Sequence, residues 1–165
     1  MITMHPRVSD VLEQSSVSYT VHNHSGFPEP INLPSDFAGS LGVDLERITK
    51  TLLLKSKETG QYAVVTCSCI RKIDFNKMKE ITGFRKIEMA QLSELEETLG
   101  YPLKGVSPIG VPSAIPVYID SEVLNFDTVF IGAGQSGIDI EIKPQDLVVI
   151  AKGQLVGFTV PAQVH

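Results

Sequence analysis

The segment from Ile48 to Thr66 constrains the fold most. Ile48 to Ser56 is rich in Leu, Ile and Thr, Glu58-Thr59-Gly60 has turn composition, and Tyr62 to Thr66 is a second apolar run. This pattern predicts a β-hairpin, which needs further strands or helices to cover its faces. Side chains alternate along a strand. Ile48, Lys50, Leu52 and Leu54 therefore share one side, while Thr49, Thr51, Leu53 and Lys55 form the more polar one. Lys50 points with the core-facing set. An ammonium there is costly unless it meets an anion or several acceptors, such as a phosphate or ribose oxygens. A lysine at a strand end that snorkels to water is the alternative.

Around the hairpin, helices and strands alternate without a fixed repeat. Helices are expected over Val8 to Gln14 after Pro6, from a Ser35 cap to Leu41, from an Asp74 cap to near Gly83, from a Ser93 cap to Leu99, and over Gln145 to Ala151 after Pro144. Strands are expected over Ser18 to Asn23, Val117 to Asp120, Thr128 to Ile131, Ile138 to Ile142 and Leu155 to Val160. Ser25 to Pro34, with three prolines and a glycine, is a loop. These connections are too irregular for doubly wound βαβ order. The fold class expected is mixed α/β, with a curved, mostly antiparallel sheet and flanking helices, in one domain spanning residues 1–165.

With 165 residues, 42% hydrophobic and 20% charged, the chain can bury one real core and is not expected to be disordered. Its formal charge of −5 excludes a generally basic nucleic-acid coat, though not a local one. Arg71 to Lys86 is such a place: Arg71, Lys72, Lys77, Lys79, Arg85 and Lys86 face only Asp74 and Glu80. That stretch could meet an RNA backbone, or it could be a solvated helix face. No apolar run approaches the roughly 20 residues that span a bilayer, and Met1 to Arg7 carries no signal-like apolar region. A reduced, cytoplasmic protein is expected, with no membrane partner and no DNA partner.

Gly132-Ala133-Gly134-Gln135-Ser136-Gly137 matches G-x-G-x-x-G. A dinucleotide fingerprint must open a helix, but Ile138-Asp139-Ile140-Glu141-Ile142 alternates at period two, so a glycine-rich turn between strands is expected instead. Asp139 and Glu141 face away from the isoleucines, and solvated strand-face acids are the simplest reading of both. Lys104 to Gly110 is a second loop whose glycines and proline could present amides to a ligand, or merely turn the chain. His22-x-His24 and Cys67-x-Cys69 could together hold zinc, but C-x-C is shorter than usual structural spacings, and two strand histidines with two small cysteines are preferred. No cofactor is expected.

Four segments in order carry a resemblance: Lys50-Thr51-Leu52-Leu53, Lys86-Ile87-Glu88-Met89-Ala90, Gly105-Val106-Ser107-Pro108-Ile109-Gly110, and Gly134-Gln135-Ser136-Gly137-Ile138-Asp139-Ile140-Glu141. From about Val17 to Phe158 the chain resembles the YbaK/prolyl-tRNA synthetase editing-domain family. The resemblance implies a mixed α/β fold and hydrolysis of the ester joining a wrong amino acid to the terminal ribose of a tRNA. It also implies that Lys50 lies near the terminal adenosine and its phosphate. Gly105, Val106, Ser107 and Pro108 would line the aminoacyl pocket, with Gly132, Gly134 and Gly137 in the turn opposite and Asp139 close to the site. Two positions depart from the family pattern. Lys104 stands where the family loop usually begins with glycine, and His24 stands where YbaK-like members have a tyrosine two residues after a histidine.

The expected function is trans-editing of a mischarged tRNA carrying a small amino acid such as Cys or Ala, with tRNA-Pro as one candidate. The aminoacyl-tRNA acceptor end is the expected partner, with an aminoacyl-tRNA synthetase as a second. Lys50, Asp139 and His24 are the candidate catalytic residues. The rival expectation is a non-catalytic paralogue that binds aminoacyl-tRNA, a synthetase or a nucleotide.

Overall fold

The computed structural model describes residues 3–162, so Met1 and Ile2 of the N-terminal stretch read above lie outside it. In chain order the elements are α1 (Pro6–Gln14), β1 (Tyr19–Asn23), α2 (Pro34–Leu41), β2 (Thr49–Ser56), β3 (Tyr62–Ser68), β4 (Arg71–Ile73), α3 (Phe75–Thr82), β5 (Ile87–Met89) and α4 (Leu92–Leu99). Then follow β6 (Val117–Asp120), β7 (Val129–Gly132), β8 (Ile138–Ile142), α5 (Pro144–Ile150), β9 (Gln154–Val156) and β10 (Thr159–Pro161). Short 3-10 turns link several of them.

The hairpin of β2 and β3 forms the centre of a five-stranded sheet in the order β5-β2-β3-β6-β9. β2 is antiparallel to both β3 and β5, whereas β3-β6 and β6-β9 run parallel. A second sheet, β1-β8-β7, and a β10-β4 ribbon are wholly antiparallel. Mixed α/β with mostly antiparallel pairing is the architecture the alternation suggested.

Both faces of the hairpin are covered, which is why β3 is buried at nearly every position. On the Lys50 side, Leu54, Ala63, Val65 and Cys67 pack against Met78 of α3, Phe84 and Phe158. On the other side, Leu53 and Val64 join Ile131, Ile138, Ile140 and Ile142, with Val8 and Leu12 of α1 and Leu95 and Leu99 of α4 closing the cluster. The isoleucine face of the second sheet thus meets the central sheet, and its His/acid face turns outward. The sheets join at the start of β2, where Ile48 bridges Phe130 and the Thr49 hydroxyl donates to the Phe130 carbonyl at 2.7 Å.

Three local expectations shift, each for a visible reason. α2 begins at Pro34, because the Asp36 carboxylate accepts from the Asn32 and Leu33 amides and fixes the entry there, not at Ser35. α4 begins at Leu92 because Glu94 accepts from the Gln91 amide at 2.8 Å. Leu155 to Val160 is not one strand. Asp120, fully buried, accepts from the Phe158 amide at 3.1 Å and the Thr159 hydroxyl at 2.6 Å, which breaks the run into β9 and β10 in different sheets. No helix among the described residues is long and apolar enough to cross a membrane.

Candidate active site

The outward face of the β1-β8 ladder carries two histidines and two acids. β1 pairs His22 with Asp139 and Thr20 with Glu141. Side chains reach diagonally within that register: His24 Nε2 lies 2.6 Å from Asp139 Oδ2, and His22 Nε2 lies 2.9 Å from Glu141 Oε1. The acids read as solvated are half-buried and partnered. Phe37 of α2 covers them, with its ring 5.0 Å from His24 and 5.9 Å from His22.

The two pairs differ in what surrounds them. Glu141 Oε2 accepts from the Thr128 hydroxyl at 2.6 Å and from Arg47 at 3.3 Å, and Arg47 lies over the Phe130 ring. Burial alone would raise the Glu141 carboxyl, but the hydrogen bonds from Thr128 and His22 and the charges of His22 and Arg47 outweigh it and hold the pKa below its ordinary value. This is a closed, satisfied network. The His24-Asp139 pair instead opens onto a cleft of about 530 Å3.

Residues from five places in the chain line this cleft: His24; the approach to α2 (Ile31 to Pro34) and Phe37; Ile48 and Thr49; Lys104; and Ser136, Gly137 and Asp139 from the glycine-rich turn and β8. Both departures from the family pattern, His24 and Lys104, therefore face the same space as Asp139. A histidine held by a carboxylate can exchange a proton with a bound water or hydroxyl. A nearby ammonium can neutralise a phosphate or a developing oxyanion.

Of the other expected site residues, Gly137 lines the cleft, and Gly105, Val106, Ser107 and Pro108 are buried one residue beyond Lys104. Gly132 and Gly134 fasten the two loops together. The Gly134 amide donates to the Gly105 carbonyl at 2.7 Å, and Gly134 takes φ 76°, a conformation that disfavours any side chain. A Cβ at Gly105 would lie 2.5 Å from the Gln135 carbonyl carbon, and one at Gly132 would lie 2.2 Å from the Val106 oxygen. Close backbone approach, not torsion, demands glycine at those two positions.

Lys50 is half-buried, and its Nζ donates to the Arg71 carbonyl at 2.7 Å. It lies across the strand from Cys67, on the side of β2 opposite Thr49. Of two consecutive residues, one lines the cleft and the other ties β2 to the first residue of β4. Cys67 and Cys69 lie in and beside β3, and no cluster of three or more metal-donor side chains occurs among the described residues. Sequence reasoning did not pair the histidines with the acids, nor did it find Arg47, Thr128 or Thr49. The readable signal was the matched spacing of His-x-His on one strand and Asp-x-Glu on another.

Comparison with known proteins gives the family and the fold. The aminoacyl-tRNA editing domain model matches residues 28–150. EbsC of Enterococcus faecalis, proposed as a Cys-tRNA(Pro)/Cys-tRNA(Cys) deacylase, is 31% identical over 90% of each chain. YwhH of Bacillus subtilis, an uncharacterised protein, is 34% identical over 67% of this chain and 69% of its own. A crystal structure proposed as a trans-editing enzyme for prolyl tRNA synthetase shares the fold, with a TM-score of 0.81, 21% identity, and coverage of 96% of this chain and 99% of that one. The chain belongs to the aminoacyl-tRNA editing domain family.

Proposed function

We propose that this chain is a free-standing aminoacyl-tRNA deacylase that removes a small amino acid, such as Cys or Ala, from a mischarged tRNA such as tRNA-Pro. The His24-Asp139 contact at 2.6 Å on the wall of the cleft carries the reading. Family membership supplies the substrate class.

An aminoacyl ester is already activated, so hydrolysis needs positioning and charge stabilisation more than a strong nucleophile. His24 donates Nε2–H to Asp139, which leaves the Nδ1 lone pair free to accept a proton. It takes a proton from water as the water oxygen bonds to the ester carbonyl carbon. The carbon–oxygen bond to the ribose then breaks, and the proton returns to the ribose oxygen. Lys104 stabilises the oxyanion or an adjoining phosphate. Lys50, near the start of β2 on the side away from Thr49, grips a phosphate oxygen of the terminal adenosine, a reading supported by its half-burial. A methylene changes binding by only about 1–3 kcal/mol, which is why hydrolytic proofreading of small amino acids exists at all.

The test is a panel of Ala-, Cys-, Ser- and Pro-charged tRNAs incubated with the protein, scoring the free amino acid. Lys50→Ala should abolish release while the protein stays folded, and wild-type turnover by that variant rejects the role given to Lys50. A second reading, a binding module without turnover, is favoured by the departure of both His24 and Lys104, two cleft residues, from the family pattern. It requires saturable aminoacyl-tRNA binding with no released amino acid. An aminoacyl-tRNA synthetase is the further partner proposed, tested by whether its addition raises turnover.

A further inference from the structure

The cleft holds the reactive end of a tRNA, but a chain of net charge −5 repels the rest of that polyanion unless a local surface attracts it. We propose that the outer side of α3, from β4 at its start to the Arg85-Lys86 bend at its end, is the track that carries the tRNA sugar-phosphate backbone. The inference rests on the substrate class proposed above.

Lys72, Lys77, Lys79, Arg85 and Lys86 are all exposed, and none forms an ion pair among the described residues. Unpaired cations are what a phosphate backbone needs, because binding then releases counterions without breaking an internal bridge. The stretch sets two acids against these five cations. The Asp74 side chain accepts from the Asn76 and Lys77 amides at the helix start, and Glu80 is a single exposed carboxylate. Where β4 meets α3, a concavity of about 470 Å3 is lined by Lys72, Phe75 and Val160 among others. Phe75 is 40% exposed and lies one helical turn from Lys79, so a flat apolar ring sits beside a cation. That combination suits an RNA strand, whose bases stack as its phosphates pair.

Cleft and track lie on opposite sides of β2 and come together at the start of that strand. Thr49 lines the cleft, and the adjacent Lys50 ties to the Arg71 carbonyl, next to Lys72. From there α3 runs over the Lys50 side of the hairpin to Arg85 and Lys86, just before β5 pairs with the far end of β2. The cations therefore extend along the length of β2, on the order of 25 Å for eight strand residues. α4 presents exposed Glu96 and Glu97 and offers no such path.

The experiment measures binding of an unacylated tRNA transcript over a salt series for wild type and for Lys72→Ala/Lys79→Ala/Arg85→Ala. Hydrolysis of an aminoacyl-adenosine ester, too small to reach α3, is followed in parallel. The variant should bind tRNA at least about tenfold more weakly, and its slope of log affinity against log salt should fall by on the order of 2 to 3. Its rate on the small ester should match wild type. Unchanged tRNA affinity and slope overturn the track, as does equal damage to the small-ester reaction. If wild type hydrolyses no ester yet the variant still loses tRNA affinity, the deacylase reading fails and the track stands.

Discussion

His24 and Asp139 meet at 2.6 Å across the β1-β8 ladder, two residues along from the pairing that places His22 opposite Asp139. The offset repeats two residues on, where His22 meets Glu141. One sheet face therefore carries two like pairs with different tasks. The inner pair is locked by Arg47 and Thr128, and the outer one opens to the cleft.

Asp139→Asn should leave the fold intact and lower ester hydrolysis by about 10²-fold or more, the usual range for loss of general-base support. His24→Ala should cost about the same, and the double variant little more than either single one, because the two act as a unit. Single-turnover rates on an aminoacyl-tRNA measure all three. Additive losses would show that the residues act independently.

Gly105→Ala and Gly132→Ala should each destabilise the protein by about 1–3 kcal/mol, as overpacking of a tight site does. In each case the new methyl meets backbone that cannot rotate aside. Urea midpoints at constant m value report the effect, and an unchanged midpoint would mean that the loops separate easily.

Glu94 is held at about 2, first by its hydrogen bond from Lys55, then by the Gln91 amide. A carboxylate with a depressed folded pKa contributes stability that is fully present above its unfolded value, near 4.5, and lost as pH falls toward 2. Glu94→Gln should flatten the decline of urea midpoint across that window. Wild-type slope in the variant would exclude Glu94 as its source.

Burial pushes the Cys67 thiol up to about 12 and also raises Cys69, which is only partly buried. Native protein at pH 8 should react slowly with a thiol reagent, Cys69 before Cys67, and both should react at once in denaturant. Rapid native labelling of Cys67 would show that β3 opens readily.

Period-two alternation made the hairpin, β8 and its outward acids legible, because covering one face of a strand writes itself into every second residue. Helix ends at Gly42, Gly83 and Gly100 were legible because glycine readily takes the left-handed conformation that closes a helix. β4 and β5 were not, since three-residue strands such as Arg71–Ile73 carry no period and exist only where a partner strand supplies their bonds. For the site, Lys50, His24 and Asp139 could be picked out by residue type. Their grouping could not, because the diagonal reach of His24 and the opposite-side placement of Lys50 depend on register and on which helix covers each face.

The backbone-to-backbone seam between the Gly105 and Gly134 loops also limits how relatives of this protein can diverge. With no side chains at the joint, neither loop can swell or retreat alone, so the cleft cannot be resized from behind. New selectivity has to be written at its rim, at Lys104 and Ser136, where a substitution changes what the cleft accepts without unseating the wall.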